Sequence, residues 1–238
     1  MGSELYQVSL LQALALGEYD GFITICELKN KGNIGIGTFD GLDGEMIMLD
    51  GVVYKASADG SVTVMEDDAK TPFANVTFAS DDLSKNVTAR TMKELSDELD
   101  RTVASEGINY VHFVRLNGIF DSIRVRSVPK QKRPYRKLVD ALSSEQVEWT
   151  LKDVRGTVVG LFCPSYMSAV NNHGWHLHFI SDDRKKGGHV LDLSVTEGEC
   201  VFTKVDSLKI VLPDNGSFHS LDLSRDQERD IKKIEGTD

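Results

Sequence analysis

The chain has 238 residues, 40% of them hydrophobic and 27% charged, and a formal net charge of −10. That is length enough for one large domain or two small ones with a substantial core, in a composition ordinary for soluble globular proteins. The negative field repels a phosphate backbone, which excludes a nucleic-acid partner, and no apolar stretch approaches the roughly 18 residues that span a bilayer.

"VSLLQALAL" lacks the positive flank and small-residue cleavage site of a signal peptide. Ser9 and Gln12 instead read as a capping box ahead of a short amphipathic helix ended by Gly17. Residues 20–66 read as all-β: "GFITICEL", "GNIGIGTF", the hairpin "GEMIMLDGVVYKA" turning at Asp50-Gly51, and "SVTVME". "TPFANVTFA" adds a strand with Pro72 near its start. A helix follows, with Thr91 and Glu94 as capping box and Met92, Leu95, Leu99 and Val103 on one face before Gly107.

"YVHFVRLNGIFDSIRVRSV" returns to strand character, broken at Asn117-Gly118, and the basic, proline-bearing segment 129–137 reads as a boundary. Leu138, Val139 and Leu142 then suggest a short helix, and from 154 the chain is β again through "SLKIVLP". The end, "SRDQERDIKKIEGTD", reads by pattern as a frayed tail. The expected fold is α+β and strand-dominated, with two mixed or antiparallel sheets, a few covering helices, and subdomains 1–128 and 129–238. Cys26, Cys163 and Cys200 are odd in number and far apart. They read as buried, reduced thiols of a cytoplasmic protein.

The segment with the most chemistry is "GWHLHFISDDRKKGGHV". On a strand, His176 and His178 share one face while Leu177 and Phe179 share the other. "SDDRKKGG" turns the chain back, so His189 can join them from the next strand. Three imidazoles then converge at about 2.0–2.1 Å from one zinc ion, with coordination positions left open. Such a site specifies metal and leaves the chemistry undecided among a lyase, a hydrolase, an iron dioxygenase and a binding protein. His112 reads as a satisfied strand histidine, and His173 and His219 gain no support from spacing. "GIGTFDG" has the wrong glycine spacing for a dinucleotide loop.

Four stretches in order, "GIGTFDGLDGEMIMLDG", "RVRSVPKQKRPY", "VRGTVVGLFCPSY" and the histidine segment, resemble the alpha-acetolactate decarboxylase family over essentially the whole chain. The resemblance implies zinc on His176, His178 and His189, although another divalent ion could replace it, and no organic cofactor. It implies active-site roles for Glu45, for Arg126 rather than the nearby Arg124, and for Glu235 of the tail, with Thr38 near the substrate. The implied reaction, in acetoin biosynthesis, is decarboxylation of 2-acetolactate to (R)-acetoin and CO2 through a zinc-bound enediolate. Arg126 would bind the substrate carboxylate, and Glu45 or Glu235 would deliver the proton. A start shorter than that of secreted members suits a cytoplasmic form, and an exposed sheet edge could support a homodimer. The competing readings are a non-catalytic three-histidine zinc module and a three-histidine zinc hydrolase.

Overall fold

The computed structural model describes residues 3–80, 83–168 and 170–224. In chain order the elements are β1 (Ser3–Val8), α1 (Leu11–Ala15), β2 (Ile23–Thr24), α2 (Ile25–Lys29), β3 (Ile34–Thr38), β4 (Glu45–Leu49), β5 (Val52–Ala56), β6 (Val62–Val64), β7 (Lys70–Thr71) and β8 (Ala74–Thr77). They continue with β9 (Leu83–Ala89), α3 (Met92–Glu106), β10 (Val111–Ser127), α4 (Leu138–Glu145), β11 (Val147–Cys163), β12 (Gly174–Ser181), β13 (Gly187–Val211) and α5 (Gly216–Ser220).

The strand-dominated α+β reading holds, but the two expected sheets are differently arranged. Eleven strands hydrogen-bond into one mixed sheet, and β2 with β7 forms a separate two-stranded ribbon. The large sheet folds on itself. β10, β11, β12 and β13 pair in succession, and β13 pairs again with β10, which closes a ring of four strands. β13 then runs beyond the ring to pair in parallel with β1, and β1 continues into β8, β3, β4, β5 and β6. Strands from both sides of residue 129 therefore share one ladder.

Period-two alternation sorts the side chains into layers. Leu5, Ile34, Ile36, Ile47 and Leu49 meet Phe113, Val159, Leu161 and Ile180 in a core between the two halves of the sheet. On the far side of the ring, Leu95, Leu99 and Val103 of α3 pack on Leu116, Phe120, Leu177 and Phe179. α2 covers the far side of the other half through Ile25 and Leu28. α1 and α4 cap one end of the seam with Leu11, Leu14, Leu138 and Leu142.

Local signals succeed where the partner is also local. The Thr91 hydroxyl accepts the Glu94 N–H at the start of α3, and Gly107 caps its end. Asp50 and Gly51 both take positive φ, 52° and 77°, as a two-residue hairpin of the right-handed twist requires. Other expectations are corrected. Ser9 caps nothing by its side chain: α1 begins after Leu10, and Ser9 itself has φ 60° with its N–H on the Val211 carbonyl. "GFITICEL" is only briefly a strand, because Thr24 and Glu27 form a capping box that turns the chain into α2. Cys26 consequently lies exposed on that helix, while Cys163 and Cys200 are buried.

Asn117-Gly118 does not break "YVHFVRLNGIFDSIRVRSV", since β10 pairs through both residues with β11 and β13. Gly118 is there because a Cβ would meet the Glu197 carbonyl at 2.6 Å. The change of phase in β10 falls instead between Phe120 and Ser122, where its register against β13 shifts. Val114, Leu116 and Phe120 face the α3 core before it, and Ile123 and Val125 face that core after it. The change of phase turns Arg126 away from the α3 core.

Candidate metal centre

Trp175, Leu177 and Phe179 of β12 enter the α3 core, so His176 and His178 face the seam. The β12–β13 hairpin sets His178 opposite His189, and β10 sets Arg126 opposite His189 on the other edge. Four of the residues singled out from sequence thus come from three adjacent strands. The other half of the sheet contributes Thr38 and Glu45, which are register partners across β3 and β4.

The three histidines form one group, with one ring nitrogen from each lying within 4.8 Å of the others. His176 Nε2 is 3.2 Å from both His178 Nε2 and His189 Nδ1. Two ligands held about 2.0–2.1 Å from a tetrahedral zinc ion are about 3.3 Å apart, so the nitrogens sit at ligand spacing. His178 Nδ1–H donates to the Met46 carbonyl over 2.8 Å, which leaves its Nε2 lone pair facing the group. All three rings are buried. Burial, and then the Arg126 charge, push the His176 pKa down to about 3. Burial and the neighbouring His176 hold His178 well below the usual range, and burial and Arg126 do the same for His189. Neutral imidazoles are the form that binds a metal.

Glu45 approaches the group, its Oε2 lying 3.5 Å from His178 Nε2 and its Oε1 4.0 Å from the Arg126 guanidinium. Arg126 is 4% exposed, whereas Arg124 lies at the surface against Glu148. The Thr38 hydroxyl donates to the Gly44 carbonyl over 2.7 Å, which pins the loop before Glu45. Glu235 lies outside the described residues. His112 is buried with Nε2 on the Gly107 carbonyl, as a satisfied strand histidine should be. Cys200 packs in the α3 core, on the opposite face of the sheet from the histidines.

The three histidines, Glu45, Arg126 and Thr38 line a pocket whose remaining wall is Leu11, Leu14, Gly37, Leu42, Phe73, Val128, Leu138 and Leu142. Sequence reasoning did not assign this wall to the site. The apolar stripes of α1 and α4 mark buried faces, but nothing local says that they bury against a pocket.

A closed structural zinc site would draw a fourth histidine or cysteine, and none joins the group among the described residues. Fold and site together define a β-rich scaffold in which three buried histidines stand at metal-ligand spacing beside a buried arginine–carboxylate pair, in a largely apolar pocket. The family model for alpha-acetolactate decarboxylase matches residues 5–225. An alpha-acetolactate decarboxylase of Methanosarcina mazei is 41% identical over 97% of this chain and 80% of its own length. That of Bacillus subtilis is 32% identical over 99% of this chain and 92% of its own. The crystal structure of alpha-acetolactate decarboxylase from Bacillus subtilis strain 168 superposes with a TM-score of 0.94, covering 98% of this chain and 99% of that one. The chain belongs to the alpha-acetolactate decarboxylase family, a family of carboxy-lyases.

Proposed function

We propose that the chain decarboxylates 2-acetolactate to acetoin and CO2 and releases a single enantiomer, (R)-acetoin. The observation that carries this reading is the convergence of three buried imidazoles beside the Arg126–Glu45 pair in a largely apolar pocket, in a chain of this family. His176, His178 and His189 would hold a divalent ion, zinc first among them. When bound it supplies a Lewis acid for the charge that builds on the ketone oxygen as CO2 leaves. No organic cofactor is needed, because the ketone beside the carboxylate-bearing carbon already provides the electron sink.

The chain's own residues do the rest. The Arg126 guanidinium binds the substrate carboxylate by a two-pronged contact and supplies the local positive charge that a −10 background lacks. The Thr38 hydroxyl spends its proton on Gly44, so toward the pocket it can only accept, which suits the substrate hydroxyl. The leucines and Phe73 exclude water and take the two methyl groups. Loss of CO2 leaves an enediolate, and the carbon that lost the carboxylate must regain a proton on one face. Glu45 delivers that proton in this reading, with Glu235 as the second candidate.

The reading includes the reducing cytoplasm, which suits the free thiols Cys26, Cys163 and Cys200. It also includes a homodimer through β13. Residues 207–211 pair with β1 on one edge and with no other strand among those described, and Leu208 and Ile210 are exposed there. The test of the activity is acetoin formation from 2-acetolactate, abolished by a chelator and restored by zinc. A chain that ignores acetolactate but hydrolyses activated esters in a zinc-dependent way would be a hydrolase instead.

A further inference from the structure

The two halves of the site come from different halves of the sheet, so something must fix their separation. Ser127 ends β10 directly after Arg126, is fully buried, and does not line the cavity. Its hydroxyl crosses the seam and donates to the Ala56 carbonyl over 2.8 Å. Ala56 ends β5 and is the register partner of Glu45. One residue further on, the Val128 carbonyl accepts the Gly44 N–H over 3.1 Å, and Gly44 immediately precedes Glu45. The end of the arginine strand therefore grips Glu45 from two sides, through its cross-strand partner and through its preceding residue.

The first of these contacts is a side-chain bond. A hydroxyl at zero exposure costs stability unless it is paired, and alanine would fill the same place in the core without that demand. At the neighbouring position, the Arg126 backbone is already fixed by pairing with Glu148 and His189. What the strand ladder does not fix is how far the Glu45 hairpin stands from it. Arg126 and Glu45 approach only to 4.0 Å, so the contact between these two does not by itself set their separation.

We propose that Ser127 is a positioning residue for the decarboxylation, its bond to Ala56 holding the Glu45 carboxyl at a set reach from whatever Arg126 binds. This rests on the reading that Arg126 and Glu45 act on the substrate. Losing the bond lets the two halves of the site drift, which slows proton return and loosens its choice of face. The three histidines belong to the ring of strands, and the His178 bond to the Met46 carbonyl still ties the ring to the hairpin when the Ser127 bond is lost.

The experiment uses the full chain loaded with zinc, in wild-type form and as Ser127→Ala and Ser127→Cys. Metal content, thermal midpoint, kcat, KM and the enantiomeric excess of acetoin are measured on each. The expected result is stoichiometric zinc, a kcat per bound zinc lower by about tenfold or more, KM changed by less than about threefold, and a reduced enantiomeric excess. If Ser127→Ala does not fold, Ser127→Cys carries the test, since a thiol of similar size is a much weaker donor. Wild-type kcat per bound zinc and wild-type enantiomeric excess in a folded variant, even one with a lower thermal midpoint, would overturn the proposal and leave Ser127 purely structural. A wild-type chain that makes no acetoin would instead overturn the decarboxylase reading and the proposal with it.

Discussion

Arg124 and Arg126 are two residues apart on one strand, yet one lies at the surface against Glu148 and the other is buried beside Glu45 and His189. Arg126→Ala is expected to lower kcat/KM by about a hundredfold or more, and Arg124→Ala by no more than about threefold. Steady-state kinetics on 2-acetolactate decide, and equal losses would remove Arg126 from the substrate. The histidines allow a second test at this scale. Their folded pKa values lie below the unfolded value near 6.5, so below that pH the unfolded chain binds more protons than the folded one. Stability of the metal-free protein should fall as pH drops from about 6.5 toward 3, each histidine adding up to about 1.4 kcal/mol per pH unit. Urea denaturation in chelator at a series of pH values should show this slope, reduced in His178→Gln; a flat profile would mean the rings are not buried neutral. Residue by residue, the histidines were legible because two of them share a strand at period two. Arg126 needed the family resemblance: strict alternation from Val114 would have put it in the α3 core, and the register shift that prevents this leaves no mark in composition.

At the scale of elements, the site depends on how closely β11 and β12 approach. Gly160 lies opposite Leu177, and a Cβ there would fall 2.1 Å from the His176 carbonyl, a contact that only a backbone shift can relieve. Gly160→Ala should destabilise the fold by about 1–3 kcal/mol and weaken zinc retention, since the displaced backbone carries His176. Thermal unfolding and metal dissociation measured together check this, and unchanged zinc affinity would mean that β12 absorbs the strain elsewhere. Elements whose signal is local were readable: α3 from its cap and its stripe, β4 and β5 from Asp50-Gly51. Elements whose identity is set by distant partners were not. "GFITICEL" is rich enough in β-branched residues to read as a strand, and a single Thr24–Glu27 cap redirects it. β13 is one strand of 25 residues whose partners change along its length, from β12 to β10, β9 and β1, and nothing local in its pattern announces those changes.

Across the whole molecule, the pocket exists because one sheet doubles back and brings the histidine ring against the Glu45 hairpin. Such closure is a property of long-range pairing, which local periodicity does not encode. The C-terminal segment poses the same problem, for its polar pattern reads as a tail while the family resemblance assigns Glu235 to the site. Deleting residues 231–238 should leave zinc bound and lower turnover; full activity in that truncation would remove Glu235 from the mechanism. The most direct measurement supplies racemic 2-acetolactate to the purified chain and resolves the acetoin by chiral chromatography, with chelator, without it, and after zinc is restored. One enantiomer, (R), abolished by chelation and recovered with zinc, is the predicted result. Only slow racemic acetoin, with zinc bound stoichiometrically to His176, His178 and His189, would contradict it.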